Sequence, residues 1–285
     1  MGYFNQELND IGLRIFDTPQ SLMPYVEQIW VANAKKLNKP ISNKILSDGR
    51  SAIIINFSEP YSIEMNNSVK TINDKYIYIG VTEYPVSINF EKSVSAIGIM
   101  FSPYGAYKFF QKNMYHYKDK IANLNDLLFQ NFELLHNKLS LNEKLETKIT
   151  LIEHFFLEMI EKSPKNNSSW IASIVAYILL KKGDVSVKEL CDQFNIGQRQ
   201  CERGFKNEVG VGPKSFSRMI RVKNAKSILS SLESDSLIEV SYESGFFDQA
   251  HFIREFKYFM KERPKDYLSR KKEMAKLLNF KKYRE

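Results

Sequence analysis

A shift of 51 residues lays one part of this chain over another. Gln198 falls on Gln249, Arg203 on Arg254, Phe205 on Phe256 and Lys206 on Lys257. Pro213 then falls on Pro264, Lys214 on Lys265 and Phe216 on Tyr267, while Cys201 meets Phe252. Internal repetition of this kind defines an architecture before any single residue does. Each copy reads as a helix, a tight turn, a second helix and a further helix opened by proline. That is the anatomy of a helix-turn-helix unit, present twice.

The unit makes specific demands. Its first helix needs a small residue where the second crosses it, and Cys191 and Ser241 stand there. The span from Cys191 to Cys201 is ten residues and that from Ser241 to Phe252 is eleven, so the second turn holds one extra residue. Gly245 is predicted to take a left-handed conformation in that turn at little steric cost. Phe246 and Phe247 are expected to anchor the turn in the core, and Asp248 to cap the following helix. Cys201 with Phe205, and Phe252 with Phe256, share a face at i, i+4 and should point inward.

The opposite faces then carry residue types that read base edges. They are Gln198, Arg199, Glu202 and Arg203 in the first unit, and Gln249, Ala250, His251, Ile253 and Arg254 in the second. Arginine grips guanine, glutamine pairs with adenine, glutamate accepts from cytosine, and Ala250 or Ile253 can touch a thymine methyl. Lys206, Lys214, Arg221, Lys257 and Lys265 suit phosphates, which orient without specifying. The segment 213–229 is predicted to be one longer helix joining the units, bound to both by Phe216, Ala225, Ile228, Leu229 and Leu232. A rigid joint of this kind sets the reading helices about one DNA turn apart, roughly 34 Å.

Charge agrees with this placement. Of 285 residues, 166–285 hold 23 Lys/Arg against 15 Asp/Glu, whereas 1–165 hold 18 of each. The whole net charge of +8 therefore lies in the C-terminal part, as for a polyanion-binding module beside a neutral partner. The basic residues of 270–285 are expected to be a solvated tail. No apolar run approaches the ~20 residues of a membrane helix. The N-terminus lacks the basic start and apolar core of a signal peptide, and Gln6 stands where a myristoylation signal needs Ser or Thr. Cys191 and Cys201 form neither a ligand cluster nor a disulfide framework. A reduced, cytoplasmic protein is the expectation. Enzymatic function is not expected: the first 120 residues hold one histidine, His116, outside any strand run. No phosphate loop or nucleophile elbow is present, and both cysteines occupy packing positions, so no cofactor and no metal is implied.

The N-terminal part differs in texture. SAIIINF (51–57), KYIYIGV (75–81) and SVSAIGIMF (93–101) read as strands between turn formers, giving a small antiparallel barrel. SPYGAYKFFQK (102–112) reads as a helix entered through Pro103. Tyr61, Tyr76, Tyr78 and Phe90 either line a pocket or form plain core. Leu145, Ile149, Ile152, Phe156 and Met159 alternate steps of four and three. They form either a dimer seam or a face packed on the chain's own sheet. SPKNNSS (163–169) is the expected linker. The predicted class is α+β in two domains. Residues 1–165 form a sensor or dimerisation domain, with a barrel over 1–120 and helices over 121–165. Residues 166–285 form an all-α domain with two helix-turn-helix units.

RGFKNEVGVGPKSFSRMIRVKNA and GFFDQAHFIREFKYFMKERPKDYL carry a family resemblance. They are similar to the two signatures of the DNA-binding domain of AraC/XylS-type transcription regulators. Cys201 stands where that family prefers Leu, Gly212 replaces a Ser and Lys261 a Gly. Gly204 lies inside the first reading helix, at a cost of about 1 kcal/mol relative to Ala. SDGRSAIIINF, YIYIGV and GIMFSPYGAYKFF resemble, more loosely, the cupin-like sensor domains attached to such regulators. The resemblance implies a sequence-specific regulator bound to double-stranded DNA, controlled by a small-molecule effector at the N-terminal domain. The alternative is an effector-independent regulator whose N-terminal domain only dimerises. A homodimer and, for an activator, RNA polymerase are the further partners implied.

Overall fold

The computed structural model describes residues 11–46, 48–127, 132–163, 169–231 and 236–271. Among the described residues the N-terminal half holds ten strands: β1 (Arg14–Phe16), β2 (Val26–Ala34), β3 (Ile41–Ile45), β4 (Ala52–Asn56), β5 (Tyr61–Met65), β6 (Ser68–Ile72), β7 (Tyr76–Ile79), β8 (Val86–Phe90), β9 (Val94–Phe101) and β10 (Ile121–Asn123). They form two antiparallel sheets, ordered β1-β2-β9-β4-β7-β10 and β3-β8-β5-β6. The short sheet shows the period of two expected of strands with one buried face. In β8, Val86, Ile88 and Phe90 are buried while Ser87 and Asn89 are not.

The long sheet is buried on both faces, and alternation divides its residues between two cores. Ile54, Ile77, Ile79 and Ala96 face the short sheet and pack with Ile63 and Ile88. Ile53, Ile55, Tyr76, Tyr78, Ile97 and Ile99 face the other way, beneath three helices. These are α1 (Gly105–Phe110), α2 (Phe132–Leu141) and α3 (Leu145–Lys162). Tyr76 and Tyr78 are thus helix-side core. Tyr61 stacks on Phe90 between the sheets, with ring centroids 5.3 Å apart. All four aromatics take the plain-core option. The interior is correspondingly full: a cavity at its end, bounded by Trp30, Leu46, Asp48, Arg50 and Met100, measures about 40 Å³, room for about one water.

The seam of α3 is settled in the same way. Ile149, Ile152, Phe156 and Met159 are buried in the core that the long sheet shares with its helices. They pack on the chain's own sheet rather than forming a dimer seam.

The remaining helices are α4 (Ser169–Leu180), α5 (Val187–Phe194), α6 (Gln198–Glu208), α7 (Pro213–Ser231), α8 (Leu237–Glu243) and α9 (Gln249–Met260). A last helical run covers 264–271. One core binds them, with Phe205, Phe216, Phe252, Phe256 and Ile174 at its centre. Burying each such side chain contributes about 1.5–3 kcal/mol. Phe216, Ala225 and Leu229 of α7 are buried in it, and Ile228 packs against it. Leu232 and most of the basic tail lie outside the described residues, as does the expected boundary between 165 and 166.

Candidate nucleic-acid interface

The repeat is expressed as two matching helix pairs. Reading helices α6 and α9 begin at Gln198 and Gln249, the residues that the 51-residue shift superposes. Their partners α5 and α8 open with matching caps. Ser186 Oγ accepts from the Glu189 N–H at 3.1 Å, and Ser236 Oγ from the Glu239 N–H at 3.3 Å. The pattern Ser-x-x-Glu is a capping box. It recurs at a spacing of 50 because the second turn is one residue longer, and it was a legible signal that sequence reasoning passed over.

Both turns use a left-handed residue. Asn195 has φ +49° and Gly245 has φ +74°. Asparagine tolerates this region through local hydrogen bonding; glycine enters it freely. α6 starts three positions after Asn195 and α9 four positions after Gly245. Asp248 Oδ1 caps α9 by accepting from the His251 N–H at 2.6 Å.

One expectation about the turn is corrected. Phe246 is buried at 4% exposure, but Phe247 stands 86% exposed. Phe246 packs against Phe252 in the core, while Phe247 lies in the bend that leads into the Asp248 cap.

The inward stripes are as the spacing implies: Cys201, Phe205, Phe252 and Phe256 are fully buried, as is Ser241 at the helix crossing. Cys191 is half-buried. Burial, with Cys191 beside it, pushes the Cys201 thiol up to about 12, far from a reactive thiolate at neutral pH. Among the described residues no group of three His, Cys, Asp or Glu could hold a metal ion. No helix among them is long and apolar enough to cross a membrane.

Gln198, Arg199, Arg203, Ala250 and Arg254 are exposed, and Glu202, Gln249, His251 and Ile253 half-buried. Gln198 Nε2 donates to Glu202 Oε1 at 3.0 Å. His251 leans edge-on against Phe246. Gln198, Glu202 and Lys206 of α6 border one cleft with His251 and Glu255 of α9. The two reading helices are therefore brought to a common cleft. Lys206, Lys214, Lys257 and Lys265 are exposed.

Arg221 is held inside the domain. Its guanidinium donates to the Gly183 carbonyl through Nη2 at 2.9 Å and Nε at 3.3 Å. It also approaches Asp184 at 3.4 Å and lies over the Phe246 ring. It braces the end of α4 against α7.

Two departures from the family pattern acquire physical reasons. A Cβ at Gly204 would lie 2.3 Å from Trp170 Cη2. The glycine lets α6 sit against the indole, and α6 runs unbroken through it. Lys261 occupies the left-handed C-cap of α9 at φ +54°, where Gly210 stands in the first unit with φ +89°. Left-handed backbone costs a residue with a Cβ about 1–2 kcal/mol. The Lys261 ammonium meets the Tyr84 ring at 3.8 Å, a cation–π contact that offsets part of this.

The two halves are joined by polar contacts that the sequence did not announce. Asp48 binds Arg50 at 2.5 Å and Lys223 of α7 at 3.1 Å. Burial opposes its charge, but Arg50 and Lys223 outweigh burial and hold the carboxyl below its ordinary value. Glu83 accepts from the Tyr258 hydroxyl at 3.0 Å and pairs with Lys118 at 3.3 Å. Lys44 Nζ donates to the Met260 carbonyl at 3.2 Å. At Gly49 a Cβ would lie 2.3 Å from the Phe216 ring, so that turn accepts an aromatic from the other half.

Paired helices of this form, repeated around one connecting helix, define a bipartite helix-turn-helix domain. Residues 190–270 match the family described as "Helix-turn-helix domain". Residues 15–123 match a "Domain of unknown function (DUF6597)". Over residues 190–270 the chain is therefore similar to helix-turn-helix proteins. It is 26% identical over 165 residues to an uncharacterized HTH-type transcriptional regulator, SAS0078, of Staphylococcus aureus (strain MSSA476), covering 55% of this chain and 21% of that one. It is 26% identical over 141 residues to the HTH-type transcriptional activator RhaS of Escherichia coli O9:H4 (strain HS), covering 50% of this chain and 44% of RhaS. The chain thus spans less than half the length of these curated relatives. Among solved structures, ToxT from Vibrio cholerae aligns over 84% of this chain and 97% of its own, at 14% identity and a TM-score of 0.44. A likeness at that score carries no argument about ligand or mechanism.

Proposed function

We propose that the chain is a cytoplasmic, sequence-specific regulator of transcription that reads duplex DNA with α6 and α9. The single observation that carries this is the doubled unit, with Gln198 and Gln249 opening two helices that border one cleft. Gln198, Arg199, Glu202, Arg203, Gln249, Ala250, His251, Ile253 and Arg254 supply the base contacts in this reading. Lys206, Lys214, Lys257 and Lys265 supply phosphate contacts. Arg221, engaged with Gly183 and Asp184, positions α4 and α7 instead.

Residues 1–165 are proposed as the domain that controls the reader, and 166–285 as the reader. Control through contacts between the halves fits their joined polar network better than control through the barrel interior, which isoleucines and the Tyr61–Phe90 stack fill. A small-molecule effector and a homodimer remain parts of the family reading that no feature of the interior adds to.

Selection of genomic duplex fragments by the full chain tests the assignment. A recurrent motif of at least one half-site is the expected result. Recovery of fragments with no shared sequence, at equal affinity, overturns sequence-specific reading.

A further inference from the structure

The chain segment after α1 forms a short 3-10 turn, Met114–Tyr117, opened by Asn113, whose side-chain oxygen accepts from the Tyr115 N–H at 3.1 Å. This turn belongs to the N-terminal half and lies against the reading helix α6. The Met114 carbonyl oxygen comes within 3.1 Å of where a Cβ on Gly210 would sit. The Lys206 ammonium lies 5.7 Å from the centre of the Tyr115 ring. Tyr115 also divides two clefts. One, of about 820 Å³, runs between Tyr107, Asn113 and Tyr115 on one wall and Arg199 and Arg203 on the other. The second, of about 860 Å³, sets Glu83, Tyr115 and Lys118 against Gln198, Glu202 and Lys206.

A reading helix works inside a major groove about 12 Å wide and 8.5 Å deep, with a phosphate backbone along each side. No duplex fits between Tyr115 and the outer face of α6 while the turn is in place. The second reader differs in part: His251 and Glu255 of α9 border the second cleft, whereas Ala250 and Arg254 are exposed and line neither cleft.

We propose that the turn 113–118 is an autoinhibitory latch, which covers α6 and leaves the Ala250 and Arg254 face of α9 open, so that the chain holds DNA by one unit until the latch lifts. The proposal rests on the DNA-reading assignment of α6 and α9. The fastenings are the Glu83–Tyr258 and Glu83–Lys118 contacts beside the turn, and the Asp48–Lys223 and Lys44–Met260 contacts on the far side of the joint. Lifting the turn itself requires breaking these polar contacts and the Lys206–Tyr115 contact.

The test uses the full chain and the duplex recovered by genomic selection. Tyr115→Ala removes a ring that is 47% exposed, so folding is not at stake, and Glu83→Ala removes the acceptor shared by Tyr258 and Lys118. Neither residue belongs to the proposed DNA-contacting set. Both variants are expected to bind more tightly, within the about 5- to 150-fold range of coupling between sites, and to lengthen the footprint from one half-site to two. Unchanged affinity and footprint in both variants, with melting temperatures within a few degrees of the parent, overturn the latch while leaving the DNA-reading assignment intact. Failure of the parent and both variants to bind any selected duplex overturns the assignment itself, and the latch with it.

Discussion

Arg218 and Glu255 meet side by side: Nε lies 2.6 Å from Oε2 and Nη2 lies 2.9 Å from Oε1. This two-point pair ties the connecting helix α7 to the second reading helix α9. The same guanidinium lies over Tyr258 and Phe259, 5.2 and 5.1 Å from their ring centres. The hydrogen bond and charge of Glu255 hold its proton more tightly than usual, against the opposing effect of burial. The seating of α9 on α7 therefore depends on this contact. Arg218→Ala leaves Glu255 without its partner and should cost about 1.5–3 kcal/mol, the worth of hydrogen bonds to a charged group. Arg218→Lys recovers only part of it, since a point charge cannot bridge both oxygens. Urea denaturation of the three proteins, read by the midpoint at constant slope, measures the loss.

Gly204 gives a prediction whose sign runs against helix propensity. In an exposed helix interior, Gly→Ala stabilises by about 1 kcal/mol. Here the new methyl would meet the Trp170 ring at 2.3 Å and the Ile171 side chain at 3.1 Å. Overpacking of that kind costs about 1–3 kcal/mol. Gly204→Ala should lower the melting temperature, and pairing it with Trp170→Leu should restore part of the loss. A rise in melting temperature for the single variant would show that Trp170 moves aside freely.

What the sequence made legible follows from local rules. The repeat located α6 and α9 because packing of Phe205 and Phe256 repeats at the same offset. Gly245 was readable since only glycine enters a left-handed turn without cost, and Asp248 because a cap is a contact three residues long. Phe247 was misplaced, as composition cannot say which of two adjacent rings faces inward. The α3 stripe was ambiguous for a related reason: a seam of Ile149, Ile152, Phe156 and Met159 suits a partner helix and a sheet equally well. Sequence offered nothing on the joint between the halves. Asp48 with Lys223 and Glu83 with Tyr258 are each 175 residues apart, and no periodicity links residues at that separation.

His136 supplies a pH dependence. It stacks on Phe57 at 5.1 Å and tilts against Tyr76 at 5.6 Å, with Nε2 3.4 Å from the Asn56 carbonyl oxygen. Burial, aided by the nearby Lys75, disfavours the charged ring and lowers its value below the ordinary one, although the Asn56 carbonyl opposes this. The unfolded chain, with an ordinary histidine near 6.5, then binds more protons than the folded one. The resulting stability is complete above about pH 6.5 and falls as pH drops through the folded value. Chemical denaturation between pH 5 and 8 should show this slope in the parent and a weaker one in His136→Phe. Parallel curves for the two proteins would remove His136 as its source.

The exposed residues of α9 separate two kinds of DNA contact. Arg254 and Lys257 are one turn apart on the helix, and both are exposed. If Arg254 grips a guanine edge, Arg254→Ala should cost about 1–3 kcal/mol on the preferred duplex and little on a duplex changed at that one base pair. A phosphate-bound Lys257 behaves differently. Lys257→Ala should weaken all duplexes alike and flatten the dependence of log Kobs on log salt by about one unit, because one counterion fewer is released on binding. Titrations of both variants on matched and changed duplexes at several salt concentrations tell the roles apart. A uniform loss for Arg254→Ala with a changed salt slope would move Arg254 to the phosphate set and leave Gln249 and Ala250 as the base readers of this helix.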